Sequence, residues 1–229
     1  MSRLITHPGL AAPVTLRRSP RARRISLKID SAQRCATLTL PSRMSQSAGM
    51  AFLSDHLDWL QQRLAALPAA IPFRPGEAIP LLDRLHLLQA APQAKRGVWA
   101  EEGAIHVSGP PEFFARRVAD FLKREAKRQI EHRAFSMAER IDRPVAAIRI
   151  GDPKSRWGSC NSKGKLAFSW RLLLAPEAVL TYVVAHEVAH LREMNHSPRF
   201  WGWVERLHQD IETPRRWLKT NGASLYRYG

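Results

Sequence analysis

The stretch AHEVAHLREMNHSPRFW, residues 185–201, packs three histidines and two glutamates into a segment that otherwise reads as an amphipathic helix. His186 and His190 are four residues apart, so on a helix they project from one face, one turn from each other. Two imidazoles so placed can ligate one ion. Glu187 lies beside that face, where a carboxylate can take a proton from a metal-activated water. This is the H-E-x-x-H arrangement. Chance produces it in on the order of one chain in a hundred of this length and composition, so the reading needs a third ligand to support it.

A catalytic zinc takes three protein ligands and keeps one position open. The candidates for the third are Glu193, His196, Glu205 and His208. His196 is preferred on backbone grounds. Ser197-Pro198 reads as an N-cap followed by proline at the first helical position. His196 then lies outside any helix. Asn195 is a good left-handed terminator for the preceding helix. The spacing predicts that the chain leaves one helix at Asn195, turns, and enters the next at Pro198, with His196 in the corner. Glu193, if helical, cannot bend back to the same ion. Glu205, on the next helix, is the runner-up.

The rest of the chain sets the context. Its 229 residues are enough for one large domain or two small ones. With 45% hydrophobic and 24% charged residues it has a globular composition. No stretch approaches the roughly 18 uninterrupted apolar residues of a membrane span. The N-terminus has no apolar secretory core. It is Arg-rich, as transit peptides are, but turns early to strand patterning. Cys35 and Cys160 make no disulfide framework and read as reduced thiols. A cytoplasmic protein is expected. The net charge of +16 favours polyanions such as nucleic acid or phosphates, or else reflects a solvated basic surface. Non-specific nucleic-acid contact is therefore a candidate property. The oligomeric state leaves no mark in the sequence.

Alternation of Ile25, Leu27 and Ile29 with Ala36, Leu38 and Leu40 around SAQR predicts a hairpin with one buried face. Leu53, Leu57, Leu60 and Leu64 predict a helix from about Ser47 to Leu67, stopped by Pro68. PAAIPFRPG is a proline-rich connector. Residues 78–107 read as short strands around the AKRG turn. A long helix from Pro111 to Pro144 carries Phe114, Val118, Phe121, Ile130, Ala134, Met137 and Ile141 on one face. VAAIRIGD reads as a strand, NSKG as a turn and KLAFSWRLLL as a second strand, and Pro176 opens the histidine helix. Strands and helices are segregated, which argues an α+β fold. The expected organisation is a β-hairpin-plus-helix region over 1–75 and a metallohydrolase domain over 76–229.

The blocks R-W-G-S-C (156–160), W-R-L (170–172), Y-V-V-x-H-E-x-x-H (182–190) and N-H-S-x-x-F-W (195–201) stand in an order that resembles the YgjP-like metallopeptidase domain family, a bacterial zincin group related to the SprT proteases. RRSPRARRISLKID and LDWLQQRL extend the likeness towards the N-terminus. It is strong over 154–201 and loosest over 76–107, where GEAIPLLDRLHLLQ stands in place of a glycine-aromatic hairpin. The resemblance implies a small, minigluzincin-like zincin core with an edge β-hairpin, one Zn2+ per chain on His186, His190 and His196, and Glu187 as general base. It also places a substrate-pairing edge strand near Leu166 to Trp170. Metzincins share the spacing from the second to the third histidine, but they carry glycine where this chain has Glu193, and a later methionine turn that is absent here.

Of the neighbouring residues, Arg156 is the candidate for holding a substrate carboxylate or phosphate, against a structural salt bridge within the hairpin. Trp157 and Gly158 read as packing and turn residues, Cys160 as a small buried thiol, and Tyr182 as a core tyrosine, with steadying an oxyanion as its other role. Phe200, Trp201 and Trp203 read as packing for the corner helix. The expected activity is zinc-dependent hydrolysis of a protein or peptide. The alternatives are a metal-dependent phosphohydrolase acting on nucleotides, and a nucleic-acid-associated protein with a structural zinc.

Overall fold

The computed structural model describes residues 2–10, 13–30 and 35–229. The chain forms two compact units, Met1–Ala69 and Ala70–Gly229. The division falls earlier than the 75/76 boundary drawn from the connector, because Ile71 and Phe73 pack with the second unit. The fold is α+β.

In the first unit, β1 (Ser2–Ile5), β2 (Val14–Ser19), β3 (Ser26–Asp30) and β4 (Cys35–Pro41) form one sheet in the order β1-β2-β4-β3. The hairpin is present, with Leu27 opposite Leu38 and Ile29 opposite Ala36. The SAQR turn lies outside the described residues. The alternation did not reveal that β4 also pairs with β2, in parallel. A single helix was expected after β4, but the chain makes two, α1 (Gln46–Asp55) and α2 (Leu57–Ala65). The break is at His56, whose backbone departs to φ −115° and whose ring stacks on Phe52 and bonds the Phe52 carbonyl. Leu53 and Leu60 complete a core with Val14, Leu16, Leu38 and Leu40. Gly49 lets α1 approach β4, since a Cβ there would lie 2.8 Å from Leu40.

The second unit starts with another four-stranded sheet: β5 (Ala78–Leu81), β6 (Arg84–Ala90), β7 (Val98–Glu101) and β8 (Ala104–Val107), in the order β5-β6-β8-β7. AKRG is not a hairpin turn, because β6 pairs in parallel with β8 and not with β7. The hairpin turns are Leu82-Asp83 and Glu102-Gly103. All four residues have positive φ, as the tight turn matching strand twist requires.

Helix α3 (Phe114–Arg140) buries a stripe through Phe114, Val118, Leu122, Ala126, Ile130, Ala134 and Met137. Leu122 and Ala126 fill the stripe where Phe121 was expected, and Phe121 is only partly buried. Next comes a three-stranded sheet, β10-β11-β9, from β9 (Ala147–Gly151), β10 (Gly158–Cys160) and β11 (Lys165–Ser169). The NSKG turn is built by Asn161, whose Oδ1 accepts from the Lys163 and Lys165 N–H groups, and by Gly164 at φ +69°. The second expected strand stops at Ser169. Residues Trp170–Leu174 are a buried 3₁₀ turn, started by Ser169 Oγ accepting from Arg171 N–H.

Helices α4 (Glu177–Ala189), α5 (Pro198–Leu207) and α6 (Glu212–Asn221) complete the unit. α4 is apolar nearly all round, and it is buried against α3, β10, α5 and α6. No helix among the described residues is long and apolar enough to cross a membrane. Arg171 is the buried polar clamp of this unit. It donates to both Asp152 carboxylate oxygens, at 2.7 and 3.1 Å, and to the Leu225 and Tyr228 carbonyls. The loop after β9 is thereby tied to the C-terminal segment. Asp152→Ala leaves this buried guanidinium without its carboxylate. It should cost about 2–3 kcal/mol, read as a lower urea midpoint. An unchanged midpoint would show that the backbone carbonyls suffice.

Candidate metal centre

The burial of α4 determines which way its polar residues point. His186, Glu187 and His190 lie at its C-terminal end, among Val183, Val184, Val188 and Ala189. The helix ends sooner than expected: Ala189 is its last residue and His190 the cap. Two bonds explain the early stop. His190 Nδ1 faces the Glu193 carbonyl at 3.0 Å, and Asn195 Oδ1 accepts from Ser197 N–H at 2.9 Å. Asn195 therefore acts as a turn-forming side chain, not as a left-handed terminator, and it is absent from the positive-φ residues. Glu193 is not helical, so helix geometry is not what keeps its carboxylate from the ion. The Ser197-Pro198 start is as expected, with Ser197 Oγ accepting from Phe200 N–H. His196 stands just before it, outside both helices and exposed.

The ligand atoms of His186, His190 and His196 lie within 4.8 Å of one another. No other group of three or more histidine, cysteine, aspartate or glutamate residues among the described residues converges in this way. His186 Nε2 and His196 Nε2 are 3.1 Å apart. Two nitrogens each about 2.0–2.1 Å from a tetrahedral zinc sit roughly 3.3 Å apart, so the pair already has the spacing of two ligands. A carbonyl only accepts, so His190 Nδ1 must carry the proton in its bond to Glu193. That leaves Nε2 with its lone pair free for an ion. Phe200 packs against all three rings, at centroid distances of 4.9, 4.4 and 4.7 Å from His186, His190 and His196. The residues present thus fit a divalent cation. The ring of His186 stays neutral: burial takes its pKa down to about 4, aided by the charges of His190, His196 and Arg215. Burial lowers His190 as well. Neutral imidazole is the form that ligates. Arg215 lies on α6 and carried no sequence signal for a place near the site.

Glu187 is 6% exposed. Burial raises its carboxyl to about 7, with the Arg156 guanidinium pulling the other way. The side chain lies directly on β10. A Cβ built at Gly158 would come within 2.5 Å of Glu187 Cγ and 2.6 Å of Oε1. Gly158 is thus not a turn residue. It is the first residue of a strand, and its missing side chain is the room the carboxylate occupies. A glycine inside a strand pattern is a recognised sign of close approach, and that signal was available in R-W-G-S-C. Trp157 is a packing residue, held between Gly222 and Tyr226. Burial, and then the charge of Glu187, push the Cys160 thiol up to about 11, which suits a structural thiol and not a nucleophile. Tyr182 is buried, with its ring edge-on to His186 and His208. Glu205 is exposed on α5, and neither it nor His208 belongs to the converging group.

The strand expected to pair with substrate is corrected. β11 is the central strand of its sheet, flanked by β10 and β9, so it has no open edge. β10 is an edge strand among the described residues. Trp157 accepts from Ser169 N–H, and Asn161 N–H donates to Lys165. Hydrogen-bonded pairs alternate in an antiparallel ladder, so Gly158 and Cys160 turn their N–H and C=O groups outward.

Some of the basic side chains are engaged within the fold. Along α3, Lys123, Lys127 and Arg128 pair with Asp120, Glu131 and Glu125. Arg18 donates to the Ser42 and Met44 carbonyls.

No curated protein and no solved structure gives a significant match to this chain. The model of the YgjP-like metallopeptidase domain family matches residues 23–221, most of the chain and all of the site just described. The chain therefore belongs to the YgjP-like metallopeptidase domain family.

Proposed function

We propose that this protein is a zinc-dependent peptidase of the cytoplasm in which His186, His190 and His196 hold one Zn2+ and Glu187 is the general base. The observation that carries the reading is the pairing of three convergent imidazoles with a buried, non-ligating carboxylate next door. A structural zinc is normally closed by four protein ligands, and three with an open position is the catalytic pattern. Bound there, the ion supplies Lewis acidity toward a scissile carbonyl and acidifies a water.

The chain's own residues do the rest. An extended peptide lies along β10, bonded to the outward groups of Gly158 and Cys160. This brings its backbone beside Glu187, which touches the same strand. Glu187 takes a proton from the attacking water on a carboxylate oxygen and delivers it to the leaving amine nitrogen. A carboxyl group whose pKa stands near neutrality can serve in both directions. Burial keeps bulk water from competing for that proton. Arg156 tempers the effect of burial by favouring the ionised form. Casein, nucleoside triphosphates and DNA, each incubated with and without a chelator, separate peptide from phosphate chemistry.

Purified protein should carry about one zinc per chain. His196→Ala should weaken zinc binding far more than Glu205→Ala, measured by competition with a fluorescent chelator. The reverse ranking would make this a glutamate-liganded site.

Glu187→Gln should keep its zinc and lose about 10² to 10⁴ in kcat/KM. Gly158→Ala, which displaces the same carboxylate, should also lower kcat with zinc retained. The base works ionised, so wild-type activity should fall as pH drops through the Glu187 pKa. That limb lies at or below pH 7, since a bound cation can only pull the value down. Arg156→Ala removes the opposing positive charge and should move the limb upward. Full activity in zinc-loaded Glu187→Gln would refute the assignment.

A further inference from the structure

Beside the centre, on the face of the β10-β11-β9 sheet turned away from α4, lies a cavity of about 330 Å³. Its floor follows from register. Ser159, Ala167 and Arg149 are cross-strand partners on β10, β11 and β9. Their neighbours Leu166 and Phe168 point into the core. Two small side chains in a row leave a hollow, and Arg149 closes one end of it. Arg156, from the loop before β10, closes another.

The hollow is cationic in a way composition does not reveal. Arg149 and Arg156 form no hydrogen bond or ion pair among the described residues. The one acid in the wall, Asp152, has both oxygens occupied by the buried Arg171, and Lys154 stands 3.9 Å away. Two guanidinium groups that no hydrogen bond holds therefore face a space whose single carboxylate is already compensated. The walls are held in place: Tyr226 OH donates to the Pro153 carbonyl, and Trp157 is wedged against Gly222.

We infer that this hollow is a specificity subsite for a carboxylate side chain of the peptide substrate, held between Arg149 and Arg156 with Ser159 beneath it. The inference rests on the peptidase reading in one respect, the path of the peptide along β10. Side chains of an extended peptide alternate between the two faces of a sheet. When one residue stands over Glu187, its neighbour points to the opposite face, where the hollow is. Guanidinium groups are the strongest side-chain partners for carboxylates. Inorganic phosphate lacks the extended backbone that the outward groups of β10 can bond, so it is the weaker ligand. The site thus prefers substrates with glutamate or aspartate at one fixed position next to the scissile bond.

The test titrates 15N-labelled zinc-loaded wild-type protein with acetyl-Ala-Glu-Ala-amide, with acetyl-Ala-Gln-Ala-amide and with inorganic phosphate, followed by amide shifts. The glutamate peptide should bind about tenfold tighter than the glutamine peptide and move the Ser159 and Ala167 amides. The double variant Arg149→Gln/Arg156→Gln should erase the preference. Equal binding of the two peptides, shifts clustered elsewhere, or phosphate binding tighter than the glutamate peptide would overturn the inference. A random peptide library digested by the same protein supplies the second reading. An acidic residue enriched at one position, and lost in the double variant, supports the subsite. A glutamate preference in the titration with no cleavage of any library member would sink the peptidase reading and leave the carboxylate site standing. Cleavage without acidic enrichment or titration preference would do the opposite.

Discussion

The carboxylate of Glu187 lies so close to β10 that no side chain fits at residue 158. That contact couples the two elements on which the site depends. α4 must be apolar on nearly every side to sit where it does, which buries whatever polar groups its last turn carries. A buried carboxylate is costly unless it is paired or protonated. Here Arg156, in the loop leading into β10, is the nearby positive charge, and the pKa settles near neutrality. Strand and helix thus meet at one buried carboxylate, with a guanidinium charge acting on it. A carboxylate kept at that cost is what the proposed general-base role requires.

Much of the site is legible in the sequence because its causes are local. The four-residue spacing of His186 and His190 has the same meaning in any helix. Ser197-Pro198 starts a helix by its own chemistry, and that alone puts His196 in a corner. The end of α4 is not legible in this way, because it is not local. Propensity allows a helix to Asn195, but the His190–Glu193 and Asn195–Ser197 bonds stop it at Ala189. His196 is therefore a good candidate on sequence grounds, partly for the wrong reason about what precedes it.

Strand pairing is the least legible part of the fold, for a physical cause. A period of two says which residues share a face, but it does not name the neighbouring strand. The resemblance places an edge strand at β11, and no local pattern in the sequence speaks against it. The second partner of that strand, β9, pairs in parallel and stands on the far side of β10 in the chain. The parallel pairings β2 with β4 and β6 with β8 are hidden for the same reason. Gly158 can be read correctly, since a glycine in a strand pattern points to a close approach. Arg215 and Arg149 cannot, because only the fold brings α6 and β9 to the site. The charge of +16 is also uninformative as a sum, because it already nets out the acids paired along α3 and does not say where the uncompensated cations stand.

The central claim is an open zinc held by three imidazoles. X-ray absorption at the zinc edge of the purified protein tests it directly. The account predicts three imidazole nitrogens and one further nitrogen or oxygen scatterer at about 2.0–2.1 Å, with no sulfur. A sulfur scatterer at about 2.3 Å would bring Cys160 or Cys35 into the coordination sphere, and a four-imidazole shell would leave no open position. Either result would make the zinc structural and contradict the account.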